Sequence, residues 1–146
     1  MLKIISIGHK MPHWIKTGFT EYQKRLNAPW RLELIELPPE KNKAAEAESL
    51  LSKVQAQDGC IALDPKGKSL TTEVFAAKLS QWQQSHQHLC FLIGGHEGLD
   101  QRCLDRAEAV IALSAFTFPH QLVKVIMAEQ LYRAVSLLNH HPYHRA

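Results

Sequence analysis

The feature that most constrains this chain is a strict alternation. Short apolar β-type runs are separated by stretches with helical composition, and the breaks fall at Gly and Pro. Leu2 to Ile7 (LKIISI) stops at Gly8, and Leu89 to Ile93 (LCFLI) stops at Gly94-Gly95. Strands that alternate with helices predict a mostly parallel sheet covered by helices on both faces, an α/β architecture. Ligand sites in such sheets lie beyond the carboxyl ends of the strands. The pattern therefore directs attention to the loops after Leu63, Ile93 and Leu113.

The reading along the chain is as follows. Pro12 to Arg25 is a helix with Pro at an early position, its broad apolar face made of Trp14, Ile15, Phe19, Tyr22 and Leu26. Arg31 to Leu37 (RLELIEL) alternates with period two and ends at Pro38-Pro39. Lys43 to Gln55 is helical. Cys60 to Leu63 is a short buried strand followed by a turn at Asp64-Pro65-Lys66-Gly67. Thr71 to Gln84 is a helix capped by Thr71 or Thr72. Leu99 to Arg106 is a short helix, Val110 to Leu113 a short strand, and His120 to Leu138 a long helix. Asn139 to Ala146 forms a polar tail. The whole chain, 1–146, reads as one domain.

The His120–Leu138 helix carries apolar residues around nearly its whole circumference, among them Leu122, Val123, Val125, Ile126, Met127, Leu131, Val135 and Leu138. A helix of that kind is buried on more than one side. Either it is the central helix of the monomer core, or a second copy covers one side in a homodimer.

Charge excludes a polybasic nucleic-acid binder. Lys plus Arg exceed Asp plus Glu by 17 to 14, so any RNA must be recognised by more than bulk charge. Cys60, Cys90 and Cys103 are odd in number, lack metal-type spacing and sit in apolar stretches. They read as reduced thiols of a cytoplasmic protein. Met1-Leu2-Lys3 runs straight into a strand with no signal peptide, and no apolar run suits a membrane span.

Three segments carry the chemistry. In Leu92 to Gly98 (LIGGHEG) a strand enters a glycine-rich turn, which lets backbone approach a ligand closely. The spacing fits neither a dinucleotide fingerprint nor a P-loop, and a plain strand-to-helix turn is the alternative. In Leu113 to His120 (LSAFTFPH) small hydroxyl residues interleave with large apolar ones. Such a loop should be largely buried, and its main-chain groups then need partners. A purine edge gripped by Leu113, Phe116 and Phe118 could supply them, or the loop is simply a core connection. The third segment, Asn139 to Arg145 (NHHPYHR), is too polar for core. As a metal site it lacks nearby Cys or carboxylate ligands to complete four, so no metal is expected. Glu129 and Arg133, four apart inside the long helix, read as a surface pair.

LDPKGK, LIGGHEG and the run from Leu113 to Arg145, together with IGHKMPHWIKTGFTEYQKRL at the start, resemble the signature segments of the RlmH (YbeA) family. These are the ribosomal RNA large-subunit methyltransferase H proteins of the SPOUT superfamily. The resemblance spans essentially the whole chain. It implies a C-terminal trefoil knot, which general topology rules would not suggest. It also implies an S-adenosyl-L-methionine cofactor, a homodimer with its sites at the interface, and methylation of N3 of a pseudouridine in 23S rRNA on the assembled ribosome. On that similarity Leu63, Gly95, Leu113, Ser114, Ala115, Phe116, Thr117 and Phe118 contact the cofactor. His96 departs from the family, which usually has a small residue or Pro there.

N3–H of a pseudouridine is a weak imide acid, so methylation needs a base or a stabilised anion. The tail supplies His144 as candidate base, Arg145 to stabilise the imidate or bind phosphate, and Tyr143 to stack on the base. Two other function classes stand beside this one. One is a non-catalytic ribosome-associated RNA-binding module. The other is a metal-dependent hydrolase built on the histidines.

Overall fold

The computed structural model describes residues Met1–Arg145, so the final residue of the expected polar tail, Ala146, lies outside the described residues. The elements are β1 (Leu2–Ile7), α1 (His13–Gln23), β2 (Leu32–Leu37), α2 (Lys43–Leu51), β3 (Gly59–Ser69), α3 (Thr72–Ser85), β4 (Leu89–Ile93), α4 (Gln101–Arg106), β5 (Ala109–Ala112) and α5 (His120–Leu138). The five strands form one parallel sheet in the order β2-β1-β4-β3-β5. The expected α/β class with a parallel sheet between helices is the one found.

The pleat divides each strand between two cores. Ile4, Ile61 and Phe91 face the layer that contains Phe19 of α1, Leu79 of α3 and Met127 of α5. Ile5, Cys60 and Leu92 face Ala47 and Leu50 of α2 and Cys103 of α4. The central strand β4 is buried along its whole length, as its uninterrupted LCFLI sequence requires. All three cysteines are buried, and burial raises each thiol above its ordinary range, Cys60 and Cys103 to about 11 and Cys90 to about 12.

Helix ends follow side-chain caps. Asn42 Oδ1 accepts from Ala45 N at 2.8 Å, Thr71 Oγ1 from Val74 N at 3.1 Å and Asp100 Oδ1 from Arg102 N at 3.0 Å. The Asp100 cap starts α4 later than Leu99. α2 ends at Leu51 and not at Gln55, because Lys53 N and Val54 N bond three residues back and Gln55 N turns to Asp58 Oδ2.

Three expectations need correction. The turn at Asp64–Gly67 is not a turn out of the sheet. β3 continues to Ser69, with a register shift that sets both Leu63 and Lys68 opposite Ile111. The chain passes so close to β5 that a Cβ on Gly67 would lie 2.7 Å from Ile111 C and 2.8 Å from Val110 C. Glycine is obligatory there for lack of space. Trp14 is not on the buried face of α1, since it is 65% exposed while Ile15 and Phe19 are buried. It falls in the first turn of α1. β5 ends at Ala112, which leaves Leu113 in the following loop.

α5 packs between α1 and α3 and buries Met127, Ala128, Leu131 and Ala134. Val125 and Leu138 also pack against this core, whereas Leu122 and Ile126, four apart on the remaining side, are only half-covered.

Candidate functional site

All five carboxyl ends lie at one edge of the sheet, because every pairing is parallel. The connections from β1 and β3 pass over the layer of α1, α3 and α5, whereas β4 leaves through α4 on the opposite layer. The end of β4 is therefore a switch point, where ligand crevices form in open α/β sheets.

The glycine turn sits at that point. Gly98 N bonds to Gly95 O at 3.0 Å and Gly98 has φ +80°, a conformation that favours glycine. A Cβ on Gly94 would meet Gly98 C at 2.6 Å, and one on Gly95 would lie 3.1 Å from Glu46 Oε1. Glu46 comes from the first turn of α2, where its Oε2 also accepts from Glu40 N. His96 points outward and is exposed.

The loop from Leu113 to Pro119 starts at the outermost strand and ends against β1, so it traverses the ends of β3 and β4. Its far end is fastened by α5. His120 Nε2 bonds the carbonyl of Ile7, Gln121 Nε2 donates to His9 O at 3.0 Å, and the fully buried Lys124 Nζ donates to Glu36 Oε2 at 2.9 Å. Burial lowers the His120 imidazole below its ordinary range, so the neutral ring bonds Ile7. The middle of the loop departs from expectation. Ala115, Phe116 and Thr117 are exposed, with Phe116 at 81%, so the loop is not largely buried. Phe116 N bonds Ser114 Oγ at 3.0 Å, a local turn that needs no tertiary partner.

At the start of this loop lies a small cavity of about 40 Å³ whose lining includes Leu70, Thr71, Thr72, Phe75, Leu113 and Gln130. Of the residues assigned to a cofactor from sequence, Leu113 lines this cavity. Leu63 is buried at the end of the first half of β3, level with Ile93 and Ile111. Gly95 lies one strand further on, against Ile7 and Glu46.

The tail docks. α5 ends in a left-handed reversal in which His140, at φ +58°, bonds Leu137 O and His141 N bonds Ser136 O at 2.8 Å. This is the Schellman pattern, which satisfies two terminal carbonyls. The chain then runs back along α5. The Tyr143 ring meets Tyr132 edge-on at 4.6 Å, and its hydroxyl donates to Glu129 Oε2 at 2.9 Å. Arg133 grips the same carboxylate through Nε and Nη2 at 3.0 and 2.7 Å and stacks over the Tyr143 ring. His144 is held from both sides, with Arg133 Nη1 3.2 Å from Nδ1 and Glu73 Oε2 3.0 Å from Nε2. That environment selects the tautomer with Nδ1 accepting and Nε2–H donating. Burial and the Glu129 carboxylate raise the Tyr143 phenol well above its ordinary range, so it stays protonated as a donor. Arg145 is exposed.

A second line of bonds joins this tail to the cavity. Gln130 Nε2 donates to Glu129 Oε1 at 2.8 Å, and Thr72 Oγ1 donates to Gln130 Oε1 at 2.9 Å. Sequence reasoning identified the Glu129–Arg133 pair through its spacing of four. It missed Thr72, Gln130 and Glu73, whose link to the tail arises only when α3 packs on α5. Among the described residues no group of three or more His, Cys, Asp or Glu could hold a metal ion, so the histidines expected as an alternative hydrolase centre do not converge. Among the described residues no helix is long and apolar enough to cross a membrane.

These features can be set beside known proteins. The family described as "predicted SPOUT methyltransferase" matches residues 1–144. Three curated relatives bear the name ribosomal RNA large subunit methyltransferase H. The protein from Cupriavidus taiwanensis is 45% identical, covering 99% of both chains. That from Ralstonia pickettii is 44% identical over 99% of this chain and 98% of its own. That from Saccharophagus degradans is 42% identical over 99% of both. With a parallel sheet, a glycine turn at its switch point and a match along almost its whole length, the chain belongs to the SPOUT methyltransferase family.

Proposed function

We propose that this chain methylates large-subunit ribosomal RNA with S-adenosyl-L-methionine, the acceptor being N3 of a pseudouridine in 23S rRNA on the assembled ribosome. The observation that carries the reading is a convergence. The three loops likened to the cofactor loops of the RlmH family gather at one edge of the sheet, and the polar tail is hydrogen-bonded to the cavity beside one of them. Relatives at 42–45% identity over full length carry the name ribosomal RNA large subunit methyltransferase H.

The donor set suits the cofactor. Leu113, Ile111 and Phe75 offer an apolar slot for a ring, with Thr71 and the Gln130 amide at its edge. The main chain from Leu113 to Phe118, exposed at Ala115–Thr117, can bond a purine edge. The cavity alone has room for a few water molecules and not for a whole cofactor. The loop at Ala115–Thr117 therefore supplies the remaining wall, and Leu63 and Gly95 would hold the rest of the molecule. When bound, the cofactor provides an electrophilic methyl group.

The protein's own part is positioning and proton removal. Tyr143 and Arg133 fix the tail so that His144 stands at a defined place on α5. To accept the N3 proton, His144 gives up its bond from Arg133, which frees the Nδ1 lone pair. Arg145, free of the core, meets the imidate or a phosphate. A second copy completes the site in this reading. The half-covered side of α5 and the 81% exposed Phe116 are surfaces that a homodimer would bury. The reaction belongs in the cytoplasm, where ribosomes assemble.

The test is transfer of labelled methyl from S-adenosyl-L-methionine to ribosomes lacking the modification, with a parallel sample that also lacks the pseudouridine. Incorporation that depends on the pseudouridine is expected. Absence of incorporation into the sample that keeps the pseudouridine, or equal incorporation into both, overturns the assignment of substrate.

A further inference from the structure

The hydrogen bonds of the tail form a closed circuit. It runs from Thr72 to Gln130, to Glu129, to Arg133, to His144 and on to Glu73. Glu73 is the residue next to Thr72, so the circuit opens and closes in the first turn of α3. That same turn, through Thr71 and Thr72, forms one wall of the cavity under Leu113, and Gln130 forms another. A group seated in the cavity thus presses on the circuit at the two residues that join α3 to α5.

We infer that Thr72 and Gln130 are positioning residues that couple occupancy of the cavity to seating of the C-terminal tail. This rests on the methyltransferase reading above, in which the cavity takes part of the cofactor. Gln130 keeps an unused amide hydrogen and an unused lone pair while it bonds Thr72 and Glu129. A ligand edge that engages either one orders the amide without breaking those bonds. The amide then holds Glu129 Oε1 more firmly, and Glu129 holds Tyr143 and Arg133. Because coupling between two sites is reciprocal, a seated tail strengthens ligand binding by the same factor. A chain that binds its cofactor first would thereby present His144 and Tyr143 in place for the acceptor base.

The probe is S-adenosylhomocysteine, which fills the same site without reacting. Calorimetry gives its affinity, and amide exchange at 140–145 reports the tail. In the unaltered protein, saturating ligand should slow tail exchange about fivefold or more, the low end of typical coupling between sites. Gln130→Met keeps the length of the side chain and removes both bonds. Thr72→Val keeps its shape and removes the first. Both variants should bind ligand yet lose the ligand-dependent slowing, and Tyr143→Phe should then weaken binding in the unaltered background but not in theirs. Equal slowing in Gln130→Met and Thr72→Val, or none in the unaltered protein at saturation, overturns the coupling and leaves the methyltransferase reading intact. Failure of the unaltered protein to bind S-adenosylhomocysteine overturns both.

Discussion

Tyr143 and Glu129 meet across 2.9 Å although they belong to different segments of the chain, one in the tail and one on the inner side of α5. The bond turns a short polar terminus into part of the site. It also fixes what a substitution should do. Tyr143→Phe keeps the ring on Tyr132 and under Arg133 and removes only the hydroxyl. Glu129 Oε2 keeps Arg133, so no charge is stranded, and the loss of stability should be about 1 kcal/mol by denaturant titration. Methyl transfer to ribosomes should fall further, about tenfold or more, because the tail loses its register on α5. A rate equal to that of the unaltered protein would show that docking of the tail has no part in the reaction.

The pair Lys124 and Glu36 predicts an asymmetry. Lys124 is fully buried on α5, whereas the Glu36 side chain is 28% exposed on the edge strand β2. Glu36→Ala leaves an ammonium buried with only Gln121 Oε1 as partner. That should cost about 3–5 kcal/mol, as for other buried pairs broken from one side. Lys124→Met leaves Glu36 to solvent and puts an apolar chain among apolar neighbours, so it should cost much less. Urea unfolding of the two variants measures the order directly, and a Lys124→Met cost equal to that of Glu36→Ala would contradict it.

His120 gives a pH dependence with a definite sign. Burial holds its folded-state value below the ordinary 6.5. The unfolded chain then binds the proton more tightly than the folded one. Stability from this group is therefore complete above about pH 6.5 and is lost as pH falls from there towards the lower folded value. Thermal unfolding between pH 7.5 and 5 should show this decline, and His120→Gln, which retains a donor for Ile7 O, should flatten that part of the profile. The same decline in the variant would assign it to another group.

Much of the fold was legible in the sequence, and the reasons are local. β4 is a run of five apolar residues bounded by glycine, and α5 is bounded by Pro119 and by a polar tail. Both were placed to the residue, because period and punctuation agree. The Asp64–Gly67 segment misled for the same reason. Its Asp-Pro and Gly look like a turn, but a neighbouring strand takes up the chain again at Lys68, a tertiary effect with no local signature. Phe116 was expected in the interior because apolar residues usually are. In one chain it is exposed, and the surface that would cover it is not written in its neighbours. At the site, residue types pointed to Tyr143, His144 and Arg145, but Glu129, the partner of Tyr143, and Glu73, the partner of His144, lie 14 and 71 residues away and only packing brings them close.

His140 offers the most direct test of how the tail is built. It occupies the left-handed position that closes α5, at φ +58°, where a side chain with a Cβ is strained by roughly 1–2 kcal/mol. Its main-chain bonds to Leu137 and the adjoining bond from His141 to Ser136 do not use the imidazole. Glycine at this position removes the strain and keeps the cap, although it adds freedom to the unfolded chain, which offsets part of the gain. His140→Gly should therefore raise stability by about 0.5–1 kcal/mol, seen as a higher thermal midpoint, with the exchange of tail amides unchanged or slower. If the midpoint fell instead, the imidazole would be making a contact that matters more than the backbone it strains, and the reversal would depend on the side chain at 140.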